Sequence, residues 1–200
     1  SDLRRQRQMC IRDRDNIKCL LLAKNYGQTT AIQAGFDNAI GKYLVTLDSD
    51  LQNDPEDIPA LLHKLIEEEL DLVVGWRKNR KDNYFLRNLP SSIANKLIGN
   101  ITGVKLHDYG CSLKAYRADV LKEVRLYGEM HRFIPAWMAT KIPASKISEL
   151  VVTHHPRIAG KSKYGISRTF RVFVDLISVS FFMRFFSRPG HFFGLIGLLL

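Results

Sequence analysis

From Asn16 onward the chain alternates short apolar runs with stretches of helical periodicity. That rhythm confines it to an α/β fold, a mixed and mostly parallel sheet flanked by helices. Cys19–Ala23 predicts a buried strand. Thr29–Ala39 predicts a helix, with Gly41 just beyond as the left-handed residue that stops it. Tyr43–Leu47 predicts the next buried strand and delivers Asp48, Ser49 and Asp50 to its C-terminal end, the edge where open α/β sheets bind ligands. Further strands are expected at Leu72–Gly75, Ser112–Tyr116 and Glu149–Thr153, with helices over Ser91–Ile101 and just after Arg117.

One helix is specified in detail. Asp54 is placed to cap it, Pro55 suits its first position, and Glu56 and Asp57 complement its dipole. It should run to about Glu69. Ile58, Leu61, Leu62, Leu65 and Ile66 recur at three- and four-residue steps and form the sheet-facing side, leaving Lys64, Glu67 and Glu68 in water.

With 200 residues, 46% of them hydrophobic, the chain can bury one domain's core and still carry a tail. Cys10, Cys19 and Cys111 are too few and too scattered for a disulfide framework, which suits a reducing, cytoplasmic setting. The net charge of +10 is concentrated at two places: five Arg against two Asp in residues 1–14, and seven Lys/Arg against Asp175 in residues 157–190. Charge alone fits nucleic acid, anionic lipid or phosphate-bearing ligands equally. Residues 1–14 match no structural element or secretory signal and resemble a non-native leader, with a basic partner-binding arm as the alternative. The globular domain is therefore expected over residues 15–165.

Residues 166–190 change character. Phe, Val, Ile and Leu alternate with Arg168, Arg171 and Arg184, as in an amphipathic helix lying in a membrane interface, until Arg188-Pro189-Gly190 breaks the pattern. Residues 191–200 then read as the start of a transmembrane helix cut short, since about 20 apolar residues are needed to span a bilayer. Basic residues just before it place the globular part on the cytoplasmic face. An ordinary buried C-terminal helix is the other reading of the same residues.

Asp48-Ser49-Asp50-Leu51-Gln52 carries the chemistry. Two carboxylates one residue apart at a strand end point to one side, and the Gln52 amide oxygen can join them. Hard oxygen ligands of this kind suit Mg²⁺ or Mn²⁺ bridging a diphosphate. Arg87 and Ser91, four apart across a helix start, can converge on one anion, or Arg87 can be solvated while Ser91 caps the helix. His154-His155 offers no metal pair, because neighbours on a strand face opposite ways.

These residues, together with Lys24-Asn25-Tyr26-Gly27, Ala34-Gly35 and Tyr43, resemble the donor half of family-2 glycosyltransferases of the polyprenyl-phosphate type, the dolichyl-phosphate mannose synthase and bactoprenol glucosyltransferase kind. The resemblance continues in order through Gly75-Trp76-Arg77, Asp108-Tyr109-Gly110-Cys111-Ser112-Leu113-Lys114, His131-Arg132-Phe133-Ile134-Pro135, the basic loop Arg157 to Gly165, and Ser187-Arg188-Pro189. It implies a GT-A-like, Rossmann-like fold and metal-dependent inverting transfer of a sugar from a nucleotide-diphosphate donor to undecaprenyl or dolichyl phosphate. By the same resemblance Asp48, Asp50 and Gln52 hold the metal. Asp48, Arg157 and Lys163 bind the donor diphosphate, and Arg77, Arg87 and Ser91 bind the acceptor phosphate. Asp108 and Asp50 are the catalytic carboxylates. A phosphate monoester with a second pKa of about 6 needs little deprotonation, so Asp108 is equally suited to orienting the acceptor or its charge partners.

The family's first two strands, which hold the base and ribose, have no counterpart before Asn16, so the domain is expected to be incomplete at its N-terminus and inactive alone. The implied partners are a nucleotide-diphosphate sugar, a polyprenyl phosphate and a membrane, with no nucleic acid; self-association through membrane helices is left open. Two competing readings are a sugar nucleotidyltransferase on the same fold and a non-enzymatic basic module that binds membrane or nucleic acid. The second predicts salt-sensitive binding indifferent to sugar nucleotide and metal.

Overall fold

The structure is a computed structural model and describes residues 16–78, 98–100 and 102–156, with helical positions at 174, 178–179, 181–182, 190, 193–194 and 197. Its labelled elements are α1 (Gln28–Asn38), β1 (Tyr43–Thr46), α2 (Ile58–Glu67), β2 (Leu72–Trp76), β3 (Lys114–Arg117), α3 (Ala118–Leu121), α4 (Ile134–Met138) and β4 (Ile147–Val151). Short 3-10 turns at Pro55–Asp57, Met130–Phe133 and Ala144–Lys146 lead into α2, α4 and β4.

The four strands form one sheet in the order β1-β3-β2-β4. β3 runs antiparallel to both neighbours, Thr46 and Val74 each lying opposite Lys114, whereas β2 and β4 pair in parallel. The sheet is therefore mixed, as expected. A parallel majority holds for strand direction, since β1, β2 and β4 point one way, but not for pairing: inserting β3 makes two of the three ladders antiparallel. β2 is central and buried from Leu72 to Gly75, which explains its uninterrupted apolar sequence.

Asp54 caps the 3-10 turn Pro55–Asp57 and not α2 itself: its side chain accepts from the Glu56 N–H at 3.0 Å, Pro55 opens that turn, and α2 starts only at Ile58, without a side-chain cap. Leu61 and Leu65 are fully buried, with Ile58 and Leu62 packed at the edge of the core. The periodicity puts Ile66 on that face too, yet it is about half exposed, because it sits a further step round the helix from the Leu61–Leu65 line. Lys64 is only partly wet and pairs with Glu68 at 2.8 Å. The helix stops two residues before the expected Glu69. Glu69 takes φ 49, and the Leu70 and Glu69 N–H groups return to the Leu65 and Ile66 carbonyls at 2.9 and 3.2 Å. This left-handed cap replaces the last turn and drops Leu70 into the core.

Two expectations fail near the start. Cys19–Ala23 forms no strand: it lacks a ladder partner among the described residues, and Leu21 is largely exposed, so neither pairing nor burial holds it. Gly41 is not a left-handed helix stop. α1 ends at Asn38, the next residue Ala39 turning extended with ψ 134, and Gly41 instead serves close packing, since a Cβ there would stand 3.0 Å from the Tyr43 carbonyl oxygen.

Of the tail, Val174, Ser178, Val179, Phe181 and Phe182 are helical, and Phe182 stands edge-on to Tyr127. Among the described residues no helix is long and apolar enough to cross a membrane. The expected leader, the body of the interfacial segment and the start of the membrane helix lie largely outside the described residues.

Candidate functional site at the strand ends

β1 and β2 point the same way and end side by side across β3, so the chain leaving each of them arrives at one edge of the sheet. After β1 the chain turns through Asp48–Gln52. Asp48 is exposed and Asp50 half-buried. The Asp50 Oδ1 accepts from the Gln52 N–H at 3.2 Å, and Leu51 between them takes φ 61, a left-handed conformation that a leucine adopts only at a cost. Leu51 is also exposed, so no burial gain accounts for this conformation. The turn sends Gln52 and Asn53 back toward the domain.

Both then make cross-links. The Gln52 carbonyl accepts from the His155 N–H at 2.8 Å and the Gln52 side-chain amide donates to the His155 carbonyl at 3.4 Å. Asn53 is buried; its amide donates to Ser112 Oγ at 2.8 Å, and its carbonyl oxygen faces Cys111 Sγ at 3.8 Å. The acidic turn is thus tied to the 108–113 segment on one side and to the residues just before Arg157 on the other. His155 uses its ring on Asp54, Nε2 to Oδ2 at 3.1 Å.

After β2 comes Arg77, which meets Asp108 in a two-point pair: Nε to Oδ2 at 2.6 Å and Nη2 to Oδ1 at 2.9 Å. Both side chains are nearly buried, and the Gly110 N–H adds a third bond to Oδ1 at 3.1 Å. One residue back, Trp76 and His107 stack at 4.1 Å, and His107 is held by Glu149 of β4 through both its backbone N–H and its ring. The segments 76–77 and 107–108 are therefore clamped twice, by ring stacking and by charge.

Gly75 lets the third segment close in. A Cβ there would stand 3.0 Å from the Leu113 carbonyl and 3.1 Å from Cys111 Sγ, so only glycine admits the 111–113 turn against β2. Burial pushes the Cys111 thiol up, making it a packing group rather than a nucleophile.

Sequence reasoning assigns Lys114 no role of its own. It opens β3 between the two strand ends, is buried, and donates to the Cys111 carbonyl. Burial pushes its ammonium down; Cys111, Asp108 and Asp48 pull it back up, with Arg77 opposing. A charged residue inside an otherwise apolar strand pattern, Leu113 to Tyr116, is the signal that marks it.

Of the expected site residues, Asp48, Asp50, Gln52, Arg77 and Asp108 come to this edge. Arg87, Ser91, Arg157 and Lys163 lie outside the described residues. His131 is part-buried and bonded to Thr29, Nδ1 to Oγ1 at 2.6 Å. Thr29 also bonds the Gly128 carbonyl at 2.6 Å, and its single proton must go there. His131 Nδ1 is therefore the donor to Thr29, a structural use of the ring.

The donor set fits a hard divalent cation. No three His, Cys, Asp or Glu side chains gather as a closed cage among the described residues, while two carboxylates and an amide oxygen on one turn match a cation that takes the rest of its shell from water and phosphate.

Comparison with known proteins places these features. The sequence pattern of Glycosyl transferase family 2 matches residues 3–125. A dodecaprenyl-phosphate galacturonate synthase from Rhizobium johnstonii is 64% identical over 182 residues, 91% of this chain and 54% of that protein. An undecaprenyl-phosphate 4-deoxy-4-formamido-L-arabinose transferase from Shewanella sediminis is 43% identical over 159 residues, 80% of this chain and 47% of that protein. The chain thus spans about half the length of the relatives it matches. Among solved structures, glucosyl-3-phosphoglycerate synthase from Mycobacterium tuberculosis with Mn²⁺ and uridine-diphosphate-glucose superposes with a TM-score of 0.57 at 15% identity, covering 81% of this chain and 56% of that one. The same enzyme with phosphoglyceric acid gives 0.59 at 14% identity, with the same coverage.

Proposed function

Because the chain belongs to glycosyl transferase family 2, we propose that its protein transfers a sugar from a nucleotide-diphosphate donor to a polyprenyl phosphate at the cytoplasmic face of a membrane. The fold is GT-A-like, with a mixed sheet and helices. The observation that carries the reading is the meeting of the Asp48–Gln52 turn and the Arg77–Asp108 pair at one sheet edge, with Asn53 bonded across to Ser112. The likeness to two polyprenyl-phosphate enzymes supports the acceptor class, and a structural neighbour solved with Mn²⁺ and uridine-diphosphate-glucose supports a metal-assisted donor site.

In this reading Asp48, Asp50 and Gln52 hold Mg²⁺ or Mn²⁺ against the donor diphosphate. When bound, the cation neutralises charge developing on the leaving nucleoside diphosphate. An acceptor phosphate oxygen forms the new bond to the anomeric carbon while the bond from that carbon to the diphosphate oxygen breaks, its electron pair leaving with the nucleoside diphosphate. Attack from the opposite face inverts the centre. Arg77 presents its guanidinium charge to the acceptor phosphate, joined by Arg87 and Ser91.

Asp108 is better read as the residue that aims Arg77 than as a base. Both its oxygens already accept from the guanidinium, which favours the ionised, acceptor-only form, and a dianionic phosphate nucleophile has no proton to surrender. Arg157 and Lys163 close over the diphosphate from a segment that leaves the described residues at Pro156, next to the Gln52–His155 bonds.

The test is Asp50→Ala in the full-length protein, assayed for transfer to polyprenyl phosphate with and without Mn²⁺. Loss of metal-dependent transfer with an unchanged unfolding transition is expected. Full activity in that variant would refute the assignment.

A further inference from the structure

Among the described residues Lys114 is the buried lysine of this edge, and its surroundings are unusual for a structural one. It is the first residue of β3, and Thr46 and Val74 are its partners on either side. Two residues beyond Thr46 stands Asp48; three beyond Val74 stands Arg77. The side chain is 3% exposed, and its contact with the Cys111 carbonyl uses one of the three donors an ammonium carries. Among the described residues no carboxylate forms a direct ion pair with it, although Asp48 and Asp108 both act on its charge. Burying an ammonium without a paired counter-charge is costly, and substituting an apolar residue at such a position is commonly neutral or stabilising. A lysine kept here for packing alone would be a poor solution.

We propose that Lys114 is a positioning residue that sets the charge of the site: its buried ammonium, held between the strand ends that carry Asp48 and Arg77, opposes a bare divalent cation and favours one that arrives with a diphosphate. The proposal rests on the reading of Asp48, Asp50 and Gln52 as metal ligands. The physical basis is one fixed positive charge acting on two ligands of opposite sign. A dication near Asp48 is repelled by it, and a diphosphate is attracted, both across a medium with an effective dielectric of about 20 rather than that of water. The ammonium thereby discourages the acidic turn from filling with metal before the donor is present. It also offsets the charges of Asp48 and Asp108, alongside the guanidinium that pairs with Asp108.

The test compares the full-length protein with its Lys114→Met, Lys114→Gln and Lys114→Arg variants, measuring Mn²⁺ affinity by electron paramagnetic resonance and then the affinity of inorganic pyrophosphate at saturating Mn²⁺. Lys114→Met and Lys114→Gln should bind Mn²⁺ alone about tenfold more tightly and pyrophosphate several-fold more weakly. Glutamine keeps a donor for the Cys111 carbonyl, so equal behaviour of the two assigns the effect to charge; Lys114→Arg should keep both affinities near those of the parent. A structural lysine would shift both affinities in the same direction or neither, and that result overturns the proposal. So does failure of both neutral variants to fold. If the parent binds no Mn²⁺, the metal-site reading fails and takes this inference with it; if the parent binds, Asp50→Ala does not, and the Lys114 variants match the parent, this inference alone fails.

Discussion

Arg77 and Asp108 face each other through two parallel hydrogen bonds, 2.6 and 2.9 Å, from residues that lie on opposite sides of a long connection and meet with about a tenth of each side chain exposed. In this geometry each partner is costly to remove. Asp108→Ala removes this carboxylate from a nearly buried guanidinium, and breaking a pair of this kind costs about 3 kcal/mol. Urea unfolding should show that loss, and transfer activity should fall with it. Asp108→Asn separates the two effects. It keeps one acceptor oxygen and the shape, so it should recover part of the stability while activity stays low, because Arg77 is no longer fixed by charge on both sides.

Gly75 permits the close approach of the 111–113 turn to β2. A Cβ there would press on the Leu113 carbonyl, on Val152 Cγ2 and on Cys111 Sγ, all within 3.0 to 3.1 Å, and one of the three is backbone that cannot rotate away. Gly75→Ala should therefore destabilise the domain by ~2 kcal/mol, as overpacking a tight core position does. It should also displace the 111–113 turn and so weaken Mn²⁺ binding through the Asn53–Ser112 link. Calorimetry and metal titration on the same sample check both. Unaltered metal affinity at reduced stability would disconnect the turn from the site.

The two thiols within the described residues should differ sharply in reactivity. Cys19 is exposed, whereas Cys111 is sealed and its thiol is pushed up by burial, away from the reactive thiolate. A maleimide at neutral pH should modify Cys19 within minutes and reach Cys111 only as fast as the domain opens. Mass spectrometry of the labelled peptides reads the difference; prompt labelling of Cys111 would mean that the 108–113 segment is not packed on β2 as described.

The parts legible in the sequence are those written in local patterns. Of the signals for α2, the Leu61–Leu65 line acts as read, whereas the Asp54 cap and Pro55 act one step earlier, on the 3-10 turn that leads into the helix. β2 is legible as an apolar run between breakers, and Asp48 to Gln52 as the chemistry at a strand end, although β1 is not the buried strand expected: Leu44 is its buried residue and Leu47 beyond it is exposed. Long-range pairing is not legible. Nothing local to Lys114–Arg117 says that it will insert antiparallel between β1 and β2, and that insertion puts Lys114 under the site and makes the ladders mostly antiparallel. Cys19–Ala23 misleads for the same reason: an apolar pentapeptide becomes a strand only if another strand is there to receive its hydrogen bonds. Trp76 and His107 stack across 31 residues of chain, a pairing that no spacing rule anticipates.

Asp54 gives the domain an acid-sensitive joint. Its carboxylate accepts from the Glu56 N–H in the 3-10 turn before α2 and from His155 Nε2, and these contacts, the backbone bond first, hold its pKa below the ordinary carboxylate value. A group whose pKa is depressed on folding stabilises the folded chain above its unfolded pKa, and that contribution is lost as the pH falls through the folded value. The cap and the tie to His155 should therefore weaken together under acid, loosening the segment that Gln52 also holds. Asp54→Ala removes both contacts at every pH. The difference in unfolding midpoint between parent and variant should be full at neutral pH and should shrink as the pH falls through the folded-state value, where the parent's carboxyl is protonated as well. A difference that persists unchanged through that range would show that Asp54 acts by its shape alone and not through its charge.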